Sequence, residues 1–225
     1  MKRAVLLGSV LLFTAGVASA NWFDDFDSYT LGSINGQGGW QGWGADPSAA
    51  GLVSADYAYS GTQSQRIHGA ADSVRQYSGY NSGQWVYSTQ MYIPTSFTGI
   101  SYFILLNTYT DPNGPWDWSV QLPFDAGLNT VKDDMRASNQ LPLIRGAWTE
   151  LRVNIDLTAN TCQVYYGGQL LSSGTWTTGA TSALNIAAVD LYANNASPVY
   201  YDNMSLVPEP GTLSLLALAA LLRRR

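Results

Sequence analysis

Trp148-Thr149-Glu150-Leu151-Arg152-Val153-Asn154-Ile155-Asp156-Leu157 is the stretch that decides how this chain folds. Leu151, Val153, Ile155 and Leu157 recur at every second position, and Trp148, Glu150, Arg152, Asn154 and Asp156 fill the places between. A period of two puts each set on its own face of an extended strand, so one face belongs to a core. Thr158-Ala159-Asn160 turns the chain, and Thr161–Tyr166 forms a second strand. Gly167-Gly168 then supplies a hairpin signal before residues 169–172.

Moving outward, the same pattern predicts strands over residues 84–93, 100–108, 116–122, 186–193 and 199–206. Between them lie clusters of turn-forming residues such as Asp111-Pro112-Asn113-Gly114-Pro115. Residues 21–206 show no long 3.6-residue period. Many short strands with turn-rich connections give an all-β fold, an antiparallel β-sandwich.

The two ends read differently. Lys2 and Arg3 precede an apolar stretch over residues 4–17, and Ala18-Ser19-Ala20 has the small-x-small form that signal peptidase accepts. Residues 1–20 are therefore read as a secretory signal helix and kept out of the fold. At the other end Val207-Pro208-Glu209-Pro210 leads into an uncharged run over residues 211–222 and then Arg223-Arg224-Arg225. The two prolines, unsuited to a helix interior or a sheet ladder, are expected to separate this tail from the domain. As a helix the run reaches about 18 Å, short of the ~30 Å of a bilayer core, so it would anchor only transiently in the inner membrane. The arginines should stay cytoplasmic while the domain lies outside.

A proline motif, a brief apolar helix and a basic end resemble the PEP-CTERM sorting signal over residues 207–225. That resemblance implies a Gram-negative bacterium that makes extracellular polysaccharide. It also implies an exosortase partner that cuts near Val207, Pro208, Glu209 and Pro210 and passes the protein to the cell surface or matrix.

Residues 21–206 carry fourteen Asp and one Glu against five Arg and one Lys, a net charge of −9. An acidic surface argues against nucleic acid, whose binding needs cations against phosphate. Cys162 is the only cysteine, so no intrachain disulfide forms. Its alternation with Val164 and Tyr166 predicts a buried thiol.

Asp24-Asp25-Phe26-Asp27-Ser28-Tyr29 with Gly36-Gln37-Gly38-Gly39-Trp40 is similar to the opening of concanavalin A-like (laminin-G-like) jelly rolls on bacterial surface proteins. Trp148–Val153 with Gly167-Gly168-Gln169-Leu170 resembles their late hairpin, and Tyr200-Tyr201-Asp202-Asn203 their closing strand. The resemblance implies a jelly-roll sandwich, a fold that hosts lectins, glycosidases, lyases and adhesins alike, so it does not give the function. In carbohydrate-binding jelly rolls a structural Ca²⁺ often joins an early acidic residue to an Asp of the last strand. Asp25, the Ser60-Gly61-Thr62 loop and Asp202 match that arrangement, and calcium takes oxygen ligands of this kind.

Catalysis has few candidates. A retaining glycosidase needs two carboxylates about 5 Å apart, and the chain has only Glu150 and Glu209, the latter in the sorting motif. Asp133-Asp134, beside Lys132 and Arg136, reads as a solvated turn, and Asp117 stands alone between Trp116 and Trp118. His68 is the only histidine and no Gly-x-Ser-x-Gly elbow is present, so neither a triad nor a zinc site is built. The expectation is no catalytic residue, with a polysaccharide lyase or hydrolase as the alternative should tyrosines, an arginine and His68 converge.

Binding has better material. Glycan sites set aromatic rings against pyranose faces, with amide and hydroxyl groups nearby. Trp40-Gln41-Gly42-Trp43 and Trp116-Asp117-Trp118 have those ingredients, so Trp40, Trp43, Trp116 and Trp118 are the predicted ligand-binding residues. The sequence favours an exported surface or matrix protein that binds extracellular polysaccharide without catalysis. A purely structural or adhesive role is the other class.

Overall fold

A computed structural model describes residues 21–209. The helices expected over 1–20 and at the C-terminal tail fall outside the described residues, apart from the tail's first three positions.

The strands in chain order are β1 (Trp22–Asp24), β2 (Gly32–Ser33), β3 (Trp40–Gly42), β4 (Leu52–Ser54), β5 (Ser64–Gly69) and β6 (Asp72–Gln76). They continue with β7 (Gln84–Tyr92), β8 (Ile100–Tyr109), β9 (Trp116–Asp125), β10 (Thr130–Val131) and β11 (Leu141–Pro142). The last are β12 (Trp148–Asp156), β13 (Thr161–Tyr166), β14 (Gln169–Gly174), β15 (Ala188–Asn194) and β16 (Ala196–Pro208). They form two antiparallel sheets. The larger runs β14-β13-β12-β7-β16-β5-β4-β2, with β1 alongside β16; the smaller runs β11-β10-β9-β8-β15-β6-β3.

The deciding stretch behaves as its alternation requires. In β12 Leu151, Val153 and Ile155 are buried while Glu150, Arg152 and Asn154 reach the surface. Val153 sits opposite Tyr87 of β7 on one side and Val164 of β13 on the other. Gly167 and Gly168 take φ of 56° and 76°, and Tyr166 pairs with Gln169. That two-residue turn needs positive φ twice, which glycine adopts without steric cost. Cys162 is buried in the same layer, and burial pushes its thiol up to about 11.

Between the sheets pack the large rings Phe26, Trp40, Tyr87, Phe103, Phe124, Tyr166, Trp176 and Tyr201. Such rings bury more apolar area per residue than aliphatic side chains, so this core does without disulfides.

Two expectations are corrected here. The closing strand runs on through Val207 and Pro208, which pair with Val86 and Trp85, and the Glu209 N–H donates to Gln84 O at 2.9 Å. Backbone N–H groups alternate direction along a strand. Because residue 209 points its N–H at β7, proline's missing one falls on the opposite side, past the end of β1. Pro208 therefore joins the ladder at no cost in hydrogen bonds. Asp133 is also no solvated residue: it is buried, pairs with Arg136, and accepts from Ser172 Oγ at 2.6 Å and Met135 N at 3.0 Å.

Candidate functional site

The outer face of the smaller sheet gathers most of the residues of interest. Strand register arranges them in rows. Asp72, Tyr192, Tyr102 and Pro123 stand side by side across β6, β15, β8 and β9. The next row is Gln41, Val74, Asp190, Ile104 and Gln121, and beyond it lie Gln76, Ala188, Leu106 and Trp118. Same-face rows are about 7 Å apart, two residues along a strand.

Three of the four predicted tryptophans meet on this face. Trp43 lies in a single 3₁₀ turn after β3, with its ring 5.4 Å from Trp116, stacked 6.3 Å from Trp118 and edge-on to Tyr109 at 5.0 Å. All three indoles are half-buried over Val74, Ile104, Leu106 and Ala188. Asp111 holds the β8–β9 loop across the sheet edge, accepting from Gln41, Gln76 and Tyr109. At the other end Tyr102 and Tyr192 stack at 5.5 Å. Tyr102 also lines a hollow of about 200 Å³ with Leu128, Lys132 and Asp134.

Trp40 does not join them. It faces the opposite way, into the core, where its indole N–H donates to Asp24 at 2.9 Å. Gln41, the next residue of β3, lies in the outer row beside Val74, and one step along a strand reverses the face.

Between the rings lies a feature that sequence reading missed. Asp190 alternates with the core residues Val189 and Leu191, so it points outward, yet it is only 3% exposed. It sits opposite Val74, which makes Asp72 its diagonal neighbour, within side-chain reach. The two carboxyl groups are neighbours on adjacent strands, and Oδ1 of each is buried without a donor in the protein. Burial, and then the charge of Asp72, push the Asp190 carboxyl well above its ordinary value; burial also raises Asp72. The indole N–H of Trp116 is likewise buried without an acceptor. The available signal was Asp72 in a short polar strand, Asp-Ser-Val-Arg-Gln, whose alternation is too weak to identify alone.

The predicted calcium residues are placed differently. Asp202 Oδ2 accepts the N–H groups of Tyr59 (2.7 Å) and Ser60 (3.1 Å), and Oδ1 accepts that of Asn203. Asp27, not Asp25, meets the loop, taking the N–H groups of Thr62 and Gln63. Asp25 accepts only the N–H of Asp27, at 3.3 Å. The loop turns amide donors toward the carboxylates, where calcium takes oxygen ligands, so this donor set does not fit the ion. Among the described residues no three His, Cys, Asp or Glu side chains group to hold a metal.

A second aromatic patch, also unforeseen, covers the outer face of the larger sheet. Trp148, Tyr92, Tyr200 and Arg66 form one row across β12, β7, β16 and β5. Tyr57 stacks on Tyr92 at 4.4 Å, and Tyr59 meets Trp148 at 5.8 Å. His68 follows Arg66 on the same face of β5. Burial first, and the Arg66 charge second, lower its pKa. A hollow of about 670 Å³ at the edge of the larger sheet is lined by Gln84, Asp156, Gln163 and Glu209 among others and has no aromatic ring.

Two layers of antiparallel strands, closed by pairing the first strand with the last, settle the architecture. The fold is a jelly-roll β-sandwich. No protein-family model matches the chain, and no curated protein sequence matches it. Solved structures do. A sialidase superposes with a TM-score of 0.58 at 12% identity, over 85% of this chain and 19% of that one. The globular domain of T. cruzi calreticulin gives 0.55 at 11%, covering 84% and 90%. Endo-β-1,4-glucuronan lyase from the fungus Trichoderma reesei gives 0.54 at 14%, covering 84% and 95%. The chain thus spans about a fifth of the sialidase but nearly all of the lyase. At these identities the likeness is one of fold: this jelly roll resembles carbohydrate-binding and carbohydrate-active sandwiches.

Proposed function

We propose that this is an exported surface or matrix protein whose jelly roll binds a glycan chain, without catalysis, on the outer face of the smaller sheet. One observation carries the reading: Trp43, more than seventy positions away in sequence, joins Trp116 and Trp118 in a half-exposed platform beside the stacked Tyr102 and Tyr192. Indole and phenol faces are what pyranose rings pack against. Export rests on the signal-like residues 1–20, and exosortase sorting rests on the PEP-CTERM-like tail. The carboxyl groups on this face argue against two-carboxylate hydrolysis. Asp190 is buried in the sheet at 3% exposure, where neither a water nor a glycosidic oxygen can be placed between it and Asp72.

The test is a glycan array and an exopolysaccharide pull-down with the purified chain. Trp118→Ala and Trp43→Ala are each expected to weaken binding at least about tenfold, the scale of one lost ring contact. Tyr57→Ala, on the opposite face, should leave it unchanged. A folded protein that retains no glycan would sink this reading in favour of a structural or adhesive surface protein.

A second reading attaches to the larger sheet. Tyr200, Arg66 and His68 share its outer face, and a lowered imidazole pKa keeps His68 neutral and able to accept a proton. Those are residue types a polysaccharide lyase employs. Release of unsaturated sugar ends from a polysaccharide, lost in His68→Ala, would favour that reading over binding alone.

A further inference from the structure

Asp190 is an expensive residue to keep where it is. A buried carboxyl with an unpartnered oxygen costs stability, and valine or threonine would fill a sheet position between Val74 and Ile104 without that cost. Two neighbouring carboxyl groups at a buried position cannot both ionise, so the pair holds one proton. The pair therefore carries a single negative charge that reaches the surface through half-buried Asp72, and each carboxyl keeps an oxygen that no donor in the protein satisfies. It lies one row from the Tyr102–Tyr192 stack and one row from Trp118. The buried Trp116 N–H adds a donor at the tryptophan end.

The rest of the face has the same sign. Asp111, Asp125 and Asp134 stand around it, and Lys132, its one cation among the described residues, is held by Asp134 at 2.8 Å. The five arginines lie elsewhere. Arg75 stacks on Trp22 and Arg136 pairs with buried Asp133. Arg145 donates to Phe97 O, and Arg66 and Arg152 belong to the larger sheet. A carboxylate-bearing sugar would meet no guanidinium or free ammonium here.

Building on the glycan-binding reading, we infer that the Asp72–Asp190 pair is the polar centre of the site, accepting the hydroxyls of an uncharged glycan and excluding uronate polymers. The aromatic rows supply stacking on both sides. The carboxyl oxygens take the hydroxyl donors that a neutral pyranose offers, and like charge turns away a carboxylate.

The probes are a neutral β-glucan hexamer and an alginate hexamer, titrated into the purified chain by calorimetry. The neutral chain should bind at least about tenfold more tightly, on the scale of one like-charge juxtaposition. Added salt should strengthen the residual alginate binding, because screening relieves repulsion. Asp190→Asn and Asp72→Asn each keep the side chain's size and offer an amide donor to the facing carboxyl, so folding should survive. Each should weaken the neutral ligand and narrow the gap to alginate severalfold. Alginate bound as tightly as the glucan, and lost in Trp118→Ala, would overturn this inference while leaving glycan binding on this face intact. Neither probe bound, together with a blank glycan array, would overturn both.

Discussion

The indole N–H of Trp40 donates to the carboxylate of Asp24 at 2.9 Å, and this contact turns a tryptophan of the Gly-rich opening segment into a core residue. The same carboxylate accepts the Tyr29 hydroxyl at 2.7 Å and the Phe26 N–H at 3.1 Å. One acidic side chain thereby fixes the chain entry, a turn and β3. Asp24→Ala strands three donors and is expected to cost about 3 kcal/mol, against about 1 kcal/mol for Trp40→Phe, which loses one bond. Urea denaturation measures both. Glycan binding by the folded fraction should not change, since neither side chain reaches the outer face.

Asp202 makes the corresponding tie at the other end of the chain. Its buried carboxylate gathers the N–H groups of Tyr59, Ser60 and Asn203, joining the last strand to the loop before β5. Asp202→Ala is expected to destabilise the protein by about 2 kcal/mol through those unpaired donors. A chelator should leave the melting temperature of the unaltered protein where it was. A calcium-dependent rise in melting temperature would show that the loop rearranges to offer carbonyl oxygens.

The sandwich was legible because strands such as β12 and β7 each bury one face, and a half-buried strand writes its period into the sequence. The strands between Leu52 and Gln76 were not. β5 and β6 bury Gln65 against Ser73 through a side-chain hydrogen bond at 2.9 Å, so polar residues occupy core positions and blur the alternation. The same blur hid Asp72, and with it the Asp190 pair. Trp43, Trp116 and Trp118 were found by residue type, because a sugar platform needs rings. Trp40 was misassigned because a ring alone does not say which face its strand turns inward. The Tyr57–Tyr92 stack folds a residue of the β4–β5 loop onto a strand 35 positions on, which single-strand patterns do not carry.

The expected end of the domain at Leu206 and the observed strand end at Pro208 differ in a measurable way. A chain of residues 21–206 lacks the Val207 and Pro208 pairs and the Glu209 to Gln84 hydrogen bond. Relative to residues 21–209 it should lose about 1–2 kcal/mol, the worth of one or two backbone hydrogen bonds and their packing. Thermal melting of the two chains makes the comparison, and identical midpoints would place the working boundary at Leu206. If the proposed sorting holds, a protease acting there would have to reach Val207, Pro208 and Glu209, which are seated in the sheet.

Asp190 gives stability a pH dependence whose sign is fixed. Its carboxyl is raised by burial first and by the Asp72 charge second, so the folded chain keeps a proton that the unfolded chain releases near pH 4. From there up to the raised folded value the native state binds more protons, and stability falls as pH rises. Tyr109 and Tyr201 also sense Asp190, but their phenols are pushed above the ordinary value and do not titrate in this window. Asp24 and Asp202 are raised too, but they are common to wild type and variant and cancel in the difference. Asp190→Asn cannot ionise, so it should melt above the wild type at pH 8, with the gap closing toward pH 4. At this chain length each kcal/mol is worth about 2–4 °C, so a gap of that size is resolvable by calorimetry. A gap that stays constant from pH 4 to 8 would mean that Asp190 holds no extra proton and that the pair is not a shared-proton centre.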